Sequence, residues 1–578
     1  MKYFLHKNRT KYGIYYSYRH NYREGDKVRT KSVYLGNEKT ALEILSDFNS
    51  EKPKNERLLS YSGELILSKV LELLDFRKVV NETSEAEPEW EIGRFLEMVV
   101  VERVLNEYSK WRLARVAHGK SFYSLDKKIP AEKFTEDNIY NYMDYIHPGL
   151  DLMKEKLVKN LLELNFVELD ELILDGTSLY CFSSDEEDEV LEPGESPEES
   201  SEPLRRTHGY SRDHRPDLPQ INLMLGVSNQ YLPLLFETFS GNVPDVVMFE
   251  RVLEKCQDTY QALLKRVRNK YMVFDKGNNS KDNFKDLDAL CTRWGFHFVT
   301  SVRPSMTKIK NALRPLDVEN LPVIYKQRRT TLRGKTVMLE LYGEKRRALL
   351  YVNEEIREKK RQEYMEKLNG IQEDIRRINQ EKKSVKEKSE LVEDLLRKNR
   401  VLTYFKQEED GEDIHCVPID SKVADKMALF GKFALITDDF TLDAEDIARI
   451  YKRSIVVEHE FHLLKSLLSI RPFYHRKPER IDVHVAIVLW GIMALALLRM
   501  MLDDHGMELS FEQLRELIGD GYISIGDYLY PERKSFRIRR TLNIHSKLQE
   551  ILNVLNLDWD YFDIDVIPTV EEKKDGGK

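Results

Sequence analysis

The sequence predicts an α/β chain: a mixed sheet flanked by helices and interrupted by an α+β insertion. A basic β-hairpin and a helical module precede it, and a helical region follows. Three observations carry that prediction. Apolar strand-like runs meet a single carboxylate at Leu172-Ile173-Leu174-Asp175-Gly176-Thr177 and again at Tyr271-Met272-Val273-Phe274-Asp275-Lys276-Gly277. From 172 to 301 the pattern is three strands, a helix, a strand, a helix and a strand, so carboxylates at strand ends converge on one sheet edge. Residues 450–465 read as one helix with two faces. Val457, Phe461, Leu464 and Leu468 make a core stripe, and Tyr451, Glu458 and Lys465 recur every seven residues along another face.

The elements follow in order. Residues 12–36 alternate as a hairpin turning near Glu24-Gly25-Asp26, and residues 1–40 hold ten Lys or Arg against three acids. A strand ribbon along a nucleic-acid backbone and a solvated edge hairpin account for this equally well. We place this basic region at 1–50 and a helical module, for DNA binding or dimerisation, at 55–164. The first part of the core spans 165–325. Within it, 183–203 carries acids with Pro and Ser and reads as a disordered acidic loop. Residues 220–227 and 232–239 form a hairpin, 245–266 a helix, and 295–301 a strand.

An insertion is assigned to 326–430, with strand pairs at 335–351 and 401–418 around a charged helical stretch at 353–398. Tyr364, Leu368, Ile371, Ile375 and Ile378 step by three or four there, so the stretch packs on the protein's own body as an amphipathic helix or hairpin. The core resumes over 431–475, and 476–578 is read as helical, with a basic alternating segment at 531–540. Asp438 and Asp439, between strand and helix, are catalytic candidates, but acids in that place are more often turn and cap residues.

At 578 residues, 41% hydrophobic and 33% charged, the chain can bury several cores, and its composition excludes global disorder. The longest apolar run, 483–498, is too short to cross a bilayer and carries His484, so it reads as a buried helix and no membrane partner is expected. Cys181, Cys256, Cys291 and Cys416 are far apart, which argues against a disulfide framework or zinc knuckle. With no apolar leader visible, a cytoplasmic location is expected. Net charge is −8, so any polyanion contact must use local basic patches.

Asp175, Asp275 and Glu458 offer the hard oxygen ligands that suit Mg²⁺ or Mn²⁺, although 99 acids offer many such triples and a solvated helix face explains Glu458 alone. Glu460 is the competitor, roughly 200° round the helix from Glu458, so the two cannot share one site. The flanking motifs discriminate. They are Leu174-Asp175-Gly176-Thr177, Gly209-Tyr210-Ser211-Arg212-Asp213, Arg215-Pro216-Asp217-Leu218-Pro219-Gln220 and Gly241-Asn242-Val243-Pro244-Asp245. Phe274-Asp275-Lys276-Gly277 follows, then Tyr451 with Val457-Glu458, Phe461 and Leu464-Lys465, and Arg471-Pro472-Phe473-Tyr474-His475.

On these motifs, between about 31 and 489, the sequence resembles the DDE transposases of the IS4-like superfamily, most closely its IS1634-type branch. The resemblance implies an RNase H-like core that cuts transposon ends and joins them to target DNA, with Asp175, Asp275 and Glu458 as the catalytic, metal-binding triad for two ions. It implies that Tyr451 and Lys465 touch DNA near the scissile phosphate. Arg453, Arg471 and Arg212 are further candidates for DNA contact. The partners implied are the terminal inverted repeats, target DNA and a second copy of the chain on DNA, with the protein nucleoid-associated when acting. The family's arginine three positions after the tyrosine is Ser454 here, with Arg453 one residue early, and the acidic loop is long. Two rival readings remain: a transposase-derived DNA-binding protein without catalysis, and an RNase H-like nuclease without strand transfer.

Overall fold

The computed structural model describes residues 3–24, 27–50, 53–84, 90–117, 133–182, 206–258, 260–266, 270–327, 330–411, 413–475, 477–530 and 534–567. The acidic loop 183–203 and part of the basic segment 531–540 lie outside these residues.

The chain opens with β1 (Phe4–Thr10), β2 (Gly13–Glu24) and β3 (Lys27–Asn37), an antiparallel three-stranded sheet, followed by α1 (Glu38–Ser50). The hairpin is as expected. β1 is an addition that the sequence concealed, because a mostly exposed edge strand needs no apolar alternation. Next come β4 (Asn55–Ser60) and the helical module: α2 (Ser62–Glu72), α3 (Phe76–Thr83), α4 (Ile92–Asn106), α5 (Lys110–Val116), α6 (Glu136–Ile146) and α7 (Leu150–Glu163).

The central sheet has nine strands. In chain order they are β5 (Glu171–Tyr180), β6 (Gln220–Ser228), β7 (Pro233–Ser240), β8 (Tyr271–Phe274), β9 (His297–Val302), β10 (Val323–Gln327), β11 (Thr330–Leu341), β12 (Glu344–Asn353) and β15 (Lys432–Thr437). Across the sheet the order is β10-β11-β12-β15-β9-β8-β5-β6-β7, with β5, β8 and β9 parallel and the other pairs antiparallel. Helices α8 (Asp245–Asp258), α9 (Gln261–Arg266), α10 (Lys281–Trp294) and α11 (Thr307–Leu313) connect these strands.

The stretch assigned to the insertion therefore divides. Strands β10 to β12 extend the central sheet, because Ala348, Leu349 and Leu350 are buried where β12 pairs with β15. The excursion proper is a helical hairpin, α12 (Glu354–Gln380) and α13 (Val385–Lys398), with β13 (Phe405–Asp410) and β14 (Asp413–Pro418), then α14 (Asp420–Met427). Leu368, Ile371 and Ile375 pack there against Val392, Leu396 and Ile414, a small separate core.

After β15 come α15 (Ala444–Lys452), α16 (Ile455–His462), a π-helical turn (Leu463–Leu467) and α17 (Pro478–Asp503). Helix α17 is long and apolar enough to cross a membrane, yet its side chains are packed inside the protein against the helical module and β7. Such a helix is apolar all round because it is buried all round.

The C-terminal region is not wholly helical. Alongside α18 (Phe511–Gly519) and α19 (Ser546–Val554) it holds β16 (Tyr522–Tyr528), β17 (Ser535–Leu542) and β18 (Phe562–Ile567), which join β4 in a sheet ordered β18-β17-β16-β4. The period-2 pattern of β17 decides this: Phe536 and Ile538 are buried while Arg537 and Arg539 pair with Asp527, Asp563 and Asp565. The two ends of the chain share a core. Val33, Leu35, Ala41, Ile44 and Phe48 pack on Tyr528, Phe536, Ile538 and Ile564, and Lys31 bridges to Asp563 at 2.8 Å and Asp565 at 2.7 Å. Phe536→Ala removes the centre of that core at a cost of about 3–5 kcal/mol. Amide exchange should accelerate together over residues 3–48 and 534–567 and stay unchanged in β5; loss confined to β17 would refute the shared core.

Candidate active site

The site is built where the parallel pairing of the sheet stops. Leu174 pairs with Phe274 in the last rung between β5 and β8, and Phe274 pairs with Thr300 on β9. The next residue on each strand, Asp175, Asp275 and Ser301, therefore stands in one row. β5 continues to Tyr180 alongside β6 only, so Asp175 is mid-strand yet at the open end of the parallel block.

Asp275 is held from several directions. The Ser301 hydroxyl donates to Oδ1 at 2.5 Å, the Tyr451 hydroxyl donates to the same oxygen at 3.1 Å, and the Lys276 ammonium donates to Oδ2 at 3.1 Å. Burial pushes this carboxyl up, but the bonds from Ser301 and Lys276 outweigh it and leave it below the usual carboxylate range. Asp175 goes the other way. Burial above all, with Asp275 and Asp245 nearby, raises it to about 6 against the Gly176 amide at 2.8 Å and the Arg212 charge.

Asp245 is a residue that the sequence motif contained without declaring its role. It begins α8 and lies against both glycines that follow the aspartates: a Cβ at Gly176 would be 3.4 Å from its Oδ1, and one at Gly277 3.3 Å from its Oδ2. The Arg212 guanidinium donates to both its oxygens, at 2.8 and 2.7 Å. Beyond Arg212, Asp213 is nearly buried and accepts from Lys465 at 2.9 Å; Arg471 ion-pairs with the same oxygen, and Oδ2 has no hydrogen-bond partner. Arg471 also lies over the Tyr180 ring, 5.5 Å from its centroid. Arg212, Lys465 and Arg471 thus gather beside the far half of β5. Arg453 does not join them. It pairs with the buried Glu171 at the start of β5, four residues and about 13 Å of strand before Asp175.

The expected single helix over 450–465 is three pieces. Hydrogen bonds from Val456 to Arg453 and from Val457 to Ser454 span three residues instead of four, tightening the chain between α15 and α16, and the π turn follows. A seven-residue spacing no longer stacks side chains across such breaks. Tyr451 reaches Asp275 and Lys465 reaches Asp213, but Glu458 is exposed on α16 and makes no hydrogen bond or ion pair among the described residues. Among those residues no three His, Cys, Asp or Glu side chains are gathered closely enough to hold one ion. Glu460 points the other way: it is wholly buried, neither carboxylate oxygen has a partner, and burial pushes its pKa well up. Asp438 and Asp439 sit at the opposite sheet edge. There they accept from the Phe298 amide and the Tyr271 hydroxyl, both at 2.9 Å, and Asp439 also accepts from the Thr441 amide at 2.8 Å in the turn that follows.

A family model described as a transposase DDE domain matches residues 168–495, from just before β5 into α17. The chain belongs to the DDE transposase family. Comparison with curated proteins finds none that matches. The matched residues of the transposase contain the whole row of Asp175, Asp275 and Ser301 and the cations around Asp213. Its sheet is a mixed one flanked by helices, compatible with an RNase H-like core.

The donors present fit a divalent cation. They are hard oxygens on adjacent strands, and Asp175 is pushed up by burial and by facing carboxylates, a strain that a cation beside it would relieve. In the cation-free protein a carboxyl with a raised pKa stabilises the fold less as pH climbs. Its penalty is absent below the ordinary value near 3.8, grows through the interval and is complete above about 6, at most about 3 kcal/mol. In EDTA, Asp175→Asn should therefore gain in melting temperature over the wild type between pH 4 and 6.5 and hold that gain above; a pH-independent difference would overturn the electrostatic account.

Proposed function

We propose that the chain is the transposase of an insertion sequence of the IS4-like superfamily, IS1634-type branch, which cuts the ends of its element and joins them to target DNA. The observation that carries this reading is the pair of carboxylates on adjacent parallel strands inside a DDE transposase domain. Asp175, Asp275 and Glu458 would hold two ions, Mg²⁺ or Mn²⁺. When bound, those ions would acidify the attacking water or 3′ hydroxyl and stabilise the departing oxygen.

The chain's own residues do the rest. Ser301, Tyr451 and Lys276 keep Asp275 ionised and oriented. Lys465, Arg471 and Arg212 hold phosphates of the bound strand, exchanging their links to Asp213 and Asp245 for links to DNA. Glu458 enters the site by movement of α16 about its two ends, the tightened turn at Arg453 and Ser454 and the π turn, both of which can absorb a change of helical phase. Arg453 serves the fold through Glu171. Two copies acting on two terminal inverted repeats complete the assembly.

The exposed Glu458 favours one other reading, a DNA-binding descendant that no longer cuts. An assay on duplex carrying the inverted repeats that border the coding region separates them. The wild type should cut and join in Mg²⁺ and not in EDTA, and Asp175→Asn should lose cleavage on the order of 10³-fold or more with binding preserved. Binding without Mg²⁺-dependent cutting would establish the second reading; cutting without joining would indicate a nuclease.

A further inference from the structure

Basic side chains gather where the helical module, α17 and the stretch before α17 meet, and among the described residues no carboxylate hydrogen-bonds to any of them. Lys110 at the start of α5 donates to Nδ1 of His484 on α17, and both are buried. The His475 ring lies 5.0 Å from that of His484, and the Tyr140 ring of α6 stands edge-on to His475 at 5.7 Å. Arg103 on α4 completes the group. The nearby acids are engaged elsewhere: Glu107 accepts from Ser469 and Arg515, and Asp144 accepts from Arg480 at 2.7 and 2.8 Å.

This group lies behind Arg471, which sits between two anchorages. On one side the stretch joins the end of β5. The Phe473 amide donates to the Tyr180 carbonyl at 3.2 Å, and the Phe182 amide to the Phe473 carbonyl at 2.9 Å. On the other side it joins the helical module. Arg103 donates to the Ser469 carbonyl at 2.5 Å, and the His484 ring hydrogen-bonds the Ile470 backbone. Ser469 has a left-handed backbone, φ 46°, which a residue other than glycine keeps where its surroundings hold it. The link from Lys110 through His484 to Ile470 is complete with a neutral imidazole, one nitrogen accepting from the amine and the other donating to the backbone. A second proton on His484 sets an N–H against the Lys110 donor, and a proton on His475 adds a charge 5.0 Å away.

Burial holds Lys110, His475 and His484 well below their ordinary values. Charge adds to this: Arg103 acts on all three, Lys110 on both imidazoles, Arg480 on His475 and His475 on His484. For a base held low, the released state takes up protons first. The link is therefore whole above about 6.5 for the histidines and weakens as pH falls below it, and Lys110 acts in the same direction from about 10.5 downward.

We propose that Lys110, His484 and His475 are positioning residues for Arg471, a tie of uncharged bases by which the helical module holds the Arg471 stretch against the end of β5 and which acid opens. The role of Arg471 toward DNA rests on the transposase reading; the tie does not.

Hydrogen exchange of the full chain without DNA, from pH 7.5 to 5.5 and with each rate divided by its intrinsic value, tests the tie. Protection over 469–475 should fall about tenfold per pH unit for each histidine that takes up a proton, while β12 stays constant. His484→Gln offers an acceptor and a donor but does not titrate, so it should keep the protection and flatten the fall. His475→Gln, at a less buried position, should reduce the slope on its own. A contact without a proton-linked role would leave the slope unmoved. A level wild-type profile, an unchanged slope in both variants, or equal loss in β12 would overturn the proposal. Affinity for duplex carrying the terminal repeats, in EDTA over the same range, should contain an acid-sensitive part that is absent in His484→Gln and in Arg471→Gln; its persistence in both would overturn the positioning of Arg471. Exchange as expected with no DNA affinity at any pH would sink the transposase reading and leave the tie standing.

Discussion

A carboxylate among buried strands needs a place where backbone pairing ends and donors can reach it, and the parallel register of β5, β8 and β9 creates that place. One rung, Leu174 with Phe274 with Thr300, decides that Asp175, Asp275 and Ser301 stand side by side. A slip of one residue in β8 would turn Asp275 to the opposite face of the sheet and separate the pair. Everything else near the site answers to this row. The glycines after each aspartate admit Asp245 at the start of α8, and Asp245 in turn fixes Arg212. Tyr451 fastens α15 to the same row through Asp275.

The cations around the row are not idle in the DNA-free protein. Lys465 and Arg471 converge on Asp213, and Arg212 on Asp245, so like charges that would repel are held together by buried or half-buried acids. Burial lowers the Lys465 pKa, Arg471 and Arg212 lower it further, and Asp213 opposes them. Such side chains have already lost much of their rotamer freedom, so the group is preorganised. Arg453 is different in kind. Its partner Glu171 lies at the other end of β5, so Arg453 ties the turn between α15 and α16 to the sheet.

Much of this was legible in residues, and the gaps have physical causes. Strand-borne aspartates announce themselves because an isolated carboxylate in an apolar run is costly, and the α/β order from β5 to β9 follows from period alone. The break between α15 and α16 left no such mark, because apolar residues are buried on both sides of it, Ile447 and Ile450 before and Val457, Leu464 and Leu468 after, and only the tightened hydrogen bonds at Arg453 and Ser454 reveal it. Asp245 was hidden for the opposite reason: an acid at a helix start is ordinary there. Strands β10 to β12 read as an excursion because chain order cannot say which sheet a hairpin joins; burial of Ala348 to Leu350 decides it.

The same logic links the two ends of the chain to the centre. The turn after the π segment carries Arg471 and leads within a few residues into α17, whose buried length packs against α2, α4 and β7. Helix α2 begins where β4 ends, and β4 pairs with β16 of the C-terminal sheet, to which the N-terminal sheet is joined by the core around Phe536. A continuous packed route therefore runs from the outer sheet of β1 to β3, through the terminal sheet and α2 to α17, and back to Arg471 beside Asp213. Because close-packed elements move as bodies and not as gradients, the outer sheet and the row are held in one geometry. Of the pieces near the row, α16 is the one bounded by irregular turns at both ends, and its Glu458 is exposed, apart from Asp175 and Asp275.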